Sequence, residues 1–189
     1  MRENPAAAVK LIILDVDGVL TDGGIYVGPD GELFKPFNVK DGLGTTLAHR
    51  AGLKTAIITG RASQQLAHRA KTLAITRVYQ GRPDKREAYR ELKQDFGLSD
   101  EEICYVGDDL IDLPVMLACG FPCAVADAVP EVKRAARLVT EHAGGHGAVR
   151  EVIETILKAQ GKWEPLIASF YDTEACHGAP LSVPGQSAQ

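Results

Sequence analysis

The chain has 189 residues, enough for one domain with a full core, and its 45% apolar and 24% charged content is that of an ordinary globular protein. A net charge of −4 and no Lys/Arg run leave no basic stripe for nucleic acid, and no apolar run approaches a membrane span. The start, MRENPAAAVK, lacks the apolar stretch of a secretion signal, and the four cysteines show no disulfide framework, so they read as reduced thiols of a cytoplasmic protein. Cys119 and Cys123 lack a second Cys or His pair to complete a zinc site.

VKLIIL, residues 9–14, reads as a first buried strand running straight into Asp15 and Asp17. Residues 24–37, GIYVGPDGELFKPF, place two short apolar strands around Gly-Pro-Asp-Gly, which predicts a β-hairpin. Its Ile25, Val27, Leu33, Phe34 and Phe37 are many apolar side chains for a two-stranded ribbon, so it either folds onto its own domain or packs against other subunits. Asp41 can cap a helix with Leu43, Leu47 and Ala51 at spacing four, stopped by Gly52. KTAIIT is a second core strand, Ser63 to Leu73 a helix, and TRVY a third strand. Asp84 with Glu87 resembles a capping box before a helix that buries Ala88, Leu92 and Phe96. ICYV and CAVA are further strands, Pro130 opens a short helix ending near Ala136, and RLVT is a possible last strand. A helix over Ala148 to Gln160 buries Val149, Val152, Ile153, Ile156 and Leu157, and Gly161 ends it. His49 and His68 fall on helix surfaces, and Tyr79 belongs with the core.

Strands apolar on both faces, alternating with amphipathic helices, specify an α/β doubly wound, mostly parallel, Rossmann-like sheet with a β-hairpin insertion. Residues 1–161 make this domain. Residues 162–189, rich in Pro, Ser, Ala and Gly, read as a flexible tail in which WEPLIASFY could dock.

In open α/β sheets ligands gather beyond the carboxyl ends of the strands, so the polar residues there are the informative ones. Strand one ends in Asp15-Val16-Asp17-Gly18, and KTAIIT ends in Thr59-Gly60-Arg61. After TRVYQG, Lys85 opens a helix. ICYV ends in Gly107-Asp108-Asp109, with Asp112 close behind. One edge of the sheet thus collects carboxylates, a hydroxyl and an ammonium.

The ordered set DxDGxxTD, TG, Lys and GDDxxD resembles the haloacid dehalogenase superfamily of phosphotransferases, over residues 11 to about 160. The resemblance implies phosphatase chemistry on a phosphate monoester, which carries about two negative charges near neutral pH. Carboxylates repel such a substrate by ~4 kcal/mol per pair of unit charges at ~4 Å and intermediate dielectric, and Mg²⁺, an oxygen-seeking ion, reverses that sign. On the same resemblance Asp15 is the nucleophile that becomes an aspartyl-phosphate. Asp17 protonates the leaving alcohol, activates the water and lends its main-chain carbonyl to the metal. Asp15, Asp17 and Asp108 hold Mg²⁺, Asp109 and Asp112 stand behind them or act through water, and Asp109 is equally suited to cap a helix. Thr59 and Gly60 meet the phosphoryl group, and Lys85 neutralises it as a point charge.

No segment between these motifs has room for a cap domain. A narrower resemblance explains the bare site. DVDGVLTDGGIYVGPDGELFKPFNVKDGLG, ITGRAS, YQGRPDK, GDDLIDLPVM and GGHGAVREVIETILKAQGKW are similar to the family of 3-deoxy-D-manno-octulosonate 8-phosphate phosphatases of lipopolysaccharide biosynthesis. Members of that family are homotetramers whose hairpins assemble together and whose tails can reach a neighbouring site. It implies a sugar phosphate substrate, with Arg61, Arg82 and His146 as candidates for its carboxylate or hydroxyls. His146 stands where that family has Arg, a departure from the motif of its loop. A relative acting on a nine-carbon keto-sugar 9-phosphate shares the motifs. A phosphoreceiver signalling domain is the remote alternative; it carries its acidic pair and its phosphorylated Asp on strands in a different order.

Overall fold

The computed structural model describes residues 4–29 and 31–171. Its elements in chain order are β1 (Leu11–Leu14), β2 (Tyr26–Gly28), β3 (Gly31–Phe34), α1 (Val39–Arg50), β4 (Lys54–Ile58), α2 (Gln64–Thr72), β5 (Arg77–Tyr79), α3 (Lys85–Phe96), β6 (Ile103–Gly107), α4 (Leu113–Met116), β7 (Phe121–Ala124), α5 (Pro130–Ala135), β8 (Leu138–Val139), α6 (Ala148–Ala159) and α7 (Trp163–Tyr171). Six strands form one sheet in the order β5-β4-β1-β6-β7-β8, and every pairing is parallel. The hairpin β2-β3 is a separate antiparallel ribbon.

All four residues of β1 are wholly buried, because the strand lies between β4 and β6 with helices over both faces. The chain runs outward from β1 to β4 and β5, then crosses back to β6 and on to β7 and β8. The carboxyl end of β1 is therefore the point where strand order reverses, the place where such sheets bind ligands.

Several local expectations change in the fold. Asn38, not Asp41, caps α1, accepting from the Lys40 amide. Asp41 is buried one turn further on, where its Oδ1 accepts from the main-chain N–H of Arg150 at 2.8 Å, inside the first turn of α6. It caps a helix across the structure instead of its own. Burial holds its carboxyl above the usual carboxylate range, against the opposing pull of those amides. Leu43 faces outward while Leu47 is buried. His49 is half-buried, its Nε2 2.7 Å from Thr55 Oγ1. Asp84 caps α3 as expected, but Glu87 turns to Arg82, so no capping box closes.

The hairpin's Tyr26 and Phe34 rings stack at 4.4 Å, yet Ile25, Val27, Leu33 and Phe34 stay exposed in the single chain; only Phe37 packs on the core. At the other terminus WEPLIASFY is α7. Trp163 and Leu166 pack on the core, with the charged ends of Arg150 and Lys158 each 5.3 Å from the Trp163 ring centre. The rest of the expected tail, Cys176 included, lies outside the described residues. Cys104, Cys119 and Cys123 are buried free thiols.

Asp41→Ala should destabilise the protein by about 1–2 kcal/mol, the worth of a lost helix cap, while Asp41→Asn keeps an acceptor and most of that stability. Thermal melts of the two variants check this; equal melting temperatures for Asp41→Ala and the wild type would remove the capping role.

Candidate active site

At the carboxyl ends of β1, β4 and β6 a cleft of about 270 Å³ is lined by Asp15, Asp17, Gly23, Thr59, Gly60, Arg61, Asp108, Asp109 and Ile111. A larger hollow of about 840 Å³ lies at the opposite, amino-terminal edge, between Ala7, Asp100, Cys119, Gly120 and Arg137. Its size does not make it the site, because convergent charges lie at the smaller cleft.

The main-chain ladder continues past β1, with the Asp15 amide donating to Val106 O, so Asp15 is delivered at the very end of the strand. Its side chain is only 5% exposed. Lys85, first residue of α3, places Nζ 2.8 Å from Asp15 Oδ1 and 2.6 Å from Asp112 Oδ1 with no exposure of its own. Asp112 is filled on both oxygens. Oδ1 accepts from Lys85 and from the Tyr105 hydroxyl at 2.6 Å, and Oδ2 accepts from the amides of Asp108 and Asp109 at 2.9 and 3.2 Å. One buried carboxylate thus fixes the lysine and the loop after β6. Thr59, at the end of β4, is 2% exposed, and its Oγ1 accepts from the Arg61 amide.

Burial raises Asp15 to about 6, with Lys85 pulling the other way and Asp112 adding to the rise. Burial, then the charges of Asp15 and Asp112, raises Asp108 to about 8. Lys85 is itself raised: burial works against its charge, but the two carboxylates outweigh it. The lysine is a permanent cation that satisfies Asp15 and Asp112 and leaves Asp108 over.

Carboxylate oxygens of Asp15, Asp108 and Asp112 lie within 4.8 Å of one another. Asp112 has no lone pairs to spare, since each carboxylate oxygen takes about two donors. Asp108 Oδ1 is buried without any partner. A buried, unpartnered carboxylate oxygen beside a second carboxylate is the environment that a hard divalent cation satisfies. Gly18 makes room for the Asp108 carboxylate itself: at φ +90 its main chain lies so close that an added Cβ would stand 2.1 Å from Oδ2.

The other candidates are placed as follows. The Asp17 carboxylate turns away from this cluster to pair with Lys35, and stands 3.7 Å from Arg61 Nε. Asp109 caps the turn that follows it, accepting from Leu110 N at 2.7 Å. Arg82 lies over Tyr79 and pairs with Glu87 at 3.2 Å, outside the cleft lining. His146 also lies outside that lining, its Nδ1–H spent on Gly144 O at 2.7 Å. Its loop nevertheless packs on the Asp15-to-Gly18 turn, for a Cβ on Gly144 would meet Gly18 O at 1.8 Å.

Sequence reasoning passed over Lys35 and Glu32. The hairpin carries both inward. Lys35 is nearly buried between Asp17 and Glu32, and Glu32 also accepts from Arg61 at 3.2 Å and Ser63 Oγ at 3.0 Å. Nothing local separates these charges from other hairpin residues; only the docking of β3 against α2 does.

A haloacid dehalogenase-like hydrolase family model matches residues 73–153. The chain is 50% identical over 159 residues to the 3-deoxy-D-manno-octulosonate 8-phosphate phosphatase of Yersinia pestis, covering 84% of this chain and 85% of that one. It is likewise 50% identical over 157 residues to the same enzyme of Escherichia coli K12, covering 83% and 84%. A crystal structure of the Yersinia pestis enzyme superposes with a TM-score of 0.83, covering 85% of this chain and 86% of that one. The Moraxella catarrhalis phosphatase, determined in complex with a magnesium ion, a phosphate ion and the octulosonate sugar, is 40% identical, with a TM-score of 0.86 over 88% of this chain and 95% of that one.

The upward shift of Asp108 makes a pH prediction. Its folded value of about 8 lies above an unfolded value of about 3.9, so between these the folded state binds more protons. Stability of the metal-free protein therefore falls as pH rises from about 4 to about 8 and then levels off; Asp15 adds a fall of the same sign below about 6. Asp108→Asn should flatten this slope and raise the melting temperature near pH 8. Added Mg²⁺ should stabilise the wild type and not the variant. Calorimetric scans across this range, with and without the ion, read all three effects.

Proposed function

This chain belongs to the haloacid dehalogenase-like hydrolases, within the family of 3-deoxy-D-manno-octulosonate 8-phosphate phosphatases, and we propose that it hydrolyses that eight-carbon keto-acid phosphate to the free sugar and phosphate. One observation carries the reading: Asp15, Thr59 and Asp108, with its unpartnered oxygen, converge at one cleft with Lys85 directly behind Asp15, in a chain half identical to enzymes of that name.

In this reading Asp15 attacks phosphorus and forms the aspartyl-phosphate as the sugar alkoxide leaves. Lys85, already 2.8 Å from Asp15, keeps its charge against the phosphoryl oxygens through the transfer. Thr59 offers its hydroxyl proton to one of those oxygens, with the Gly60 main chain beside it. Asp17 protonates the leaving oxygen and then takes a proton from the water that cleaves the acyl-phosphate. Lys35 and Arg61 hold its carboxylate at the cleft wall meanwhile. Arg61, half exposed at the rim, is the residue best placed to meet the substrate carboxylate.

Asp15, Asp108 and the Asp17 carbonyl would hold Mg²⁺. When bound, the ion offsets the charge that the phosphate brings to these carboxylates and orients it. Asp112 stays with Lys85, and Asp109 with its turn.

We further place four copies together through the hairpins, whose exposed Ile25, Val27, Leu33 and Phe34 are the surface such an assembly would cover. Light scattering at micromolar concentration reads that state. Cytoplasmic residence fits the free cysteines. Among the described residues no helix is long and apolar enough to cross a membrane.

A panel of phosphorylated metabolites, including eight- and nine-carbon keto-acid phosphates, tests the whole reading. The eight-carbon ester should have the highest kcat/KM, a chelator should abolish turnover, and Asp15→Asn should lower kcat on the order of 10⁴-fold or more with the fold intact. A preferred nine-carbon ester would move the substrate, and an active Asp15→Asn would move the nucleophile.

A further inference from the structure

We infer that Tyr105 is a positioning residue for phosphoryl transfer: its hydroxyl sets where the Lys85 ammonium rests between Asp15 and Asp112. The inference rests on the phosphatase reading above and adds to it a residue that lies outside the cleft and outside the acidic and lysine motifs.

Tyr105 is in the middle of β6, in register with Ile13 of β1. Side chains alternate along a strand, so Tyr105 shares a face with Asp15 and lies one step deeper. It is wholly buried, and a core tyrosine at a central strand position would ordinarily be packing alone. Here the hydroxyl belongs to the charge cluster. It donates to Asp112 Oδ1 at 2.6 Å and accepts from Lys85 Nζ at 3.1 Å. Lys85 in turn reaches Asp15 Oδ1 at 2.8 Å and Asp112 Oδ1 at 2.6 Å. The ammonium has three protons and three acceptors, two anionic and one neutral.

The neutral one decides the balance. Asp112 competes with Asp15 for the lysine, and Asp15 is the group that needs it during transfer. The phenol weakens that competition by supplying Asp112 Oδ1 with a second donor, and gives the third ammonium proton a place to go. A hydroxyl is suited to this because it donates and accepts at once and adds no charge to a dry cluster. Asp112, Lys85 and Tyr105 are each at most 1% exposed, so no solvent-facing surface supplies a replacement for a deleted oxygen. Removing the hydroxyl would draw Lys85 toward Asp112 and away from Asp15.

Tyr105→Phe keeps the ring and tests the idea in the Mg²⁺-loaded enzyme. The expected result is a kcat about 10-fold lower with KM changed by less than about 2-fold, and inhibition by beryllium fluoride, which mimics the phosphoryl group on a carboxylate, weakened about 10-fold. Ile13→Val, which trims the neighbouring residue in the same layer and touches no charge, should lower the melting temperature and leave both readings unchanged. Wild-type kcat and wild-type inhibition in Tyr105→Phe would overturn the inference, even with a lowered melting temperature. So would an equal loss in Ile13→Val. Wild-type turnover in the same assay tests the phosphatase reading on its own.

Discussion

A lysine ammonium buried between two carboxylates is the constraint from which the rest of this structure follows. Lys85 has no solvent to lean on, and a lone charge in such a place costs several kcal/mol. It is held only because Asp15 ends β1, Asp112 follows β6 and α3 begins at Lys85 itself, so three elements must meet within hydrogen-bonding distance. The parallel sheet is what brings them together. β1 and β6 are neighbours in space although about ninety residues separate them in the chain.

That cluster is balanced on one side and open on the other. Lys85 answers Asp15 and Asp112, while Asp108 has an oxygen with no partner and a carboxyl pushed up to about 8 by burial and by its acidic neighbours. The imbalance is informative because Asp112 is so fully satisfied: four donors occupy it, and within the cluster the buried oxygen left without a partner belongs to Asp108. A second group of charges, Asp17, Glu32, Lys35 and Arg61, closes the other wall. The hairpin therefore has two faces of different character. Its apolar side chains point outward, and its Glu32 and Lys35 tie it to Asp17 and Arg61 at the cleft wall.

Behind the cleft, side chains pair with main-chain groups instead of with one another. The loop before α6 is pinned by Asp127 on the Gly144 amide, by Asn38 on Gly145 O and by Asp41 on the first turn of α6. Gly144 is required because Gly18 O occupies the place of a Cβ. The position of His146 follows from this packing: the loop backbone touches the Asp15-to-Gly18 turn, while the imidazole bonds back to its own loop.

Much of this was written in local pattern. Doubly apolar runs such as LIIL and ICYV announce strands covered on both sides, and a carboxylate directly after such a run has one place to be, the strand's end. The places of Asp15, Thr59 and Asp108 directly after β1, β4 and β6 were legible for that reason, and so were the α2, α5 and α6 boundaries, set by Ser63, Pro130 and Gly161. What local pattern lacked was distance between elements. Asp41 looks like a cap for its own helix and serves α6, because an acceptor binds whichever amides the packing presents. Arg82 looks like a free surface cation and pairs with Glu87 across a turn. Tyr105 looks like core, and Lys35 and Glu32 like hairpin surface. Each acquires its role from a partner between 18 and 109 residues away or from a neighbour across a turn, and only tertiary packing, which fixes who shares a buried charge, assigns it.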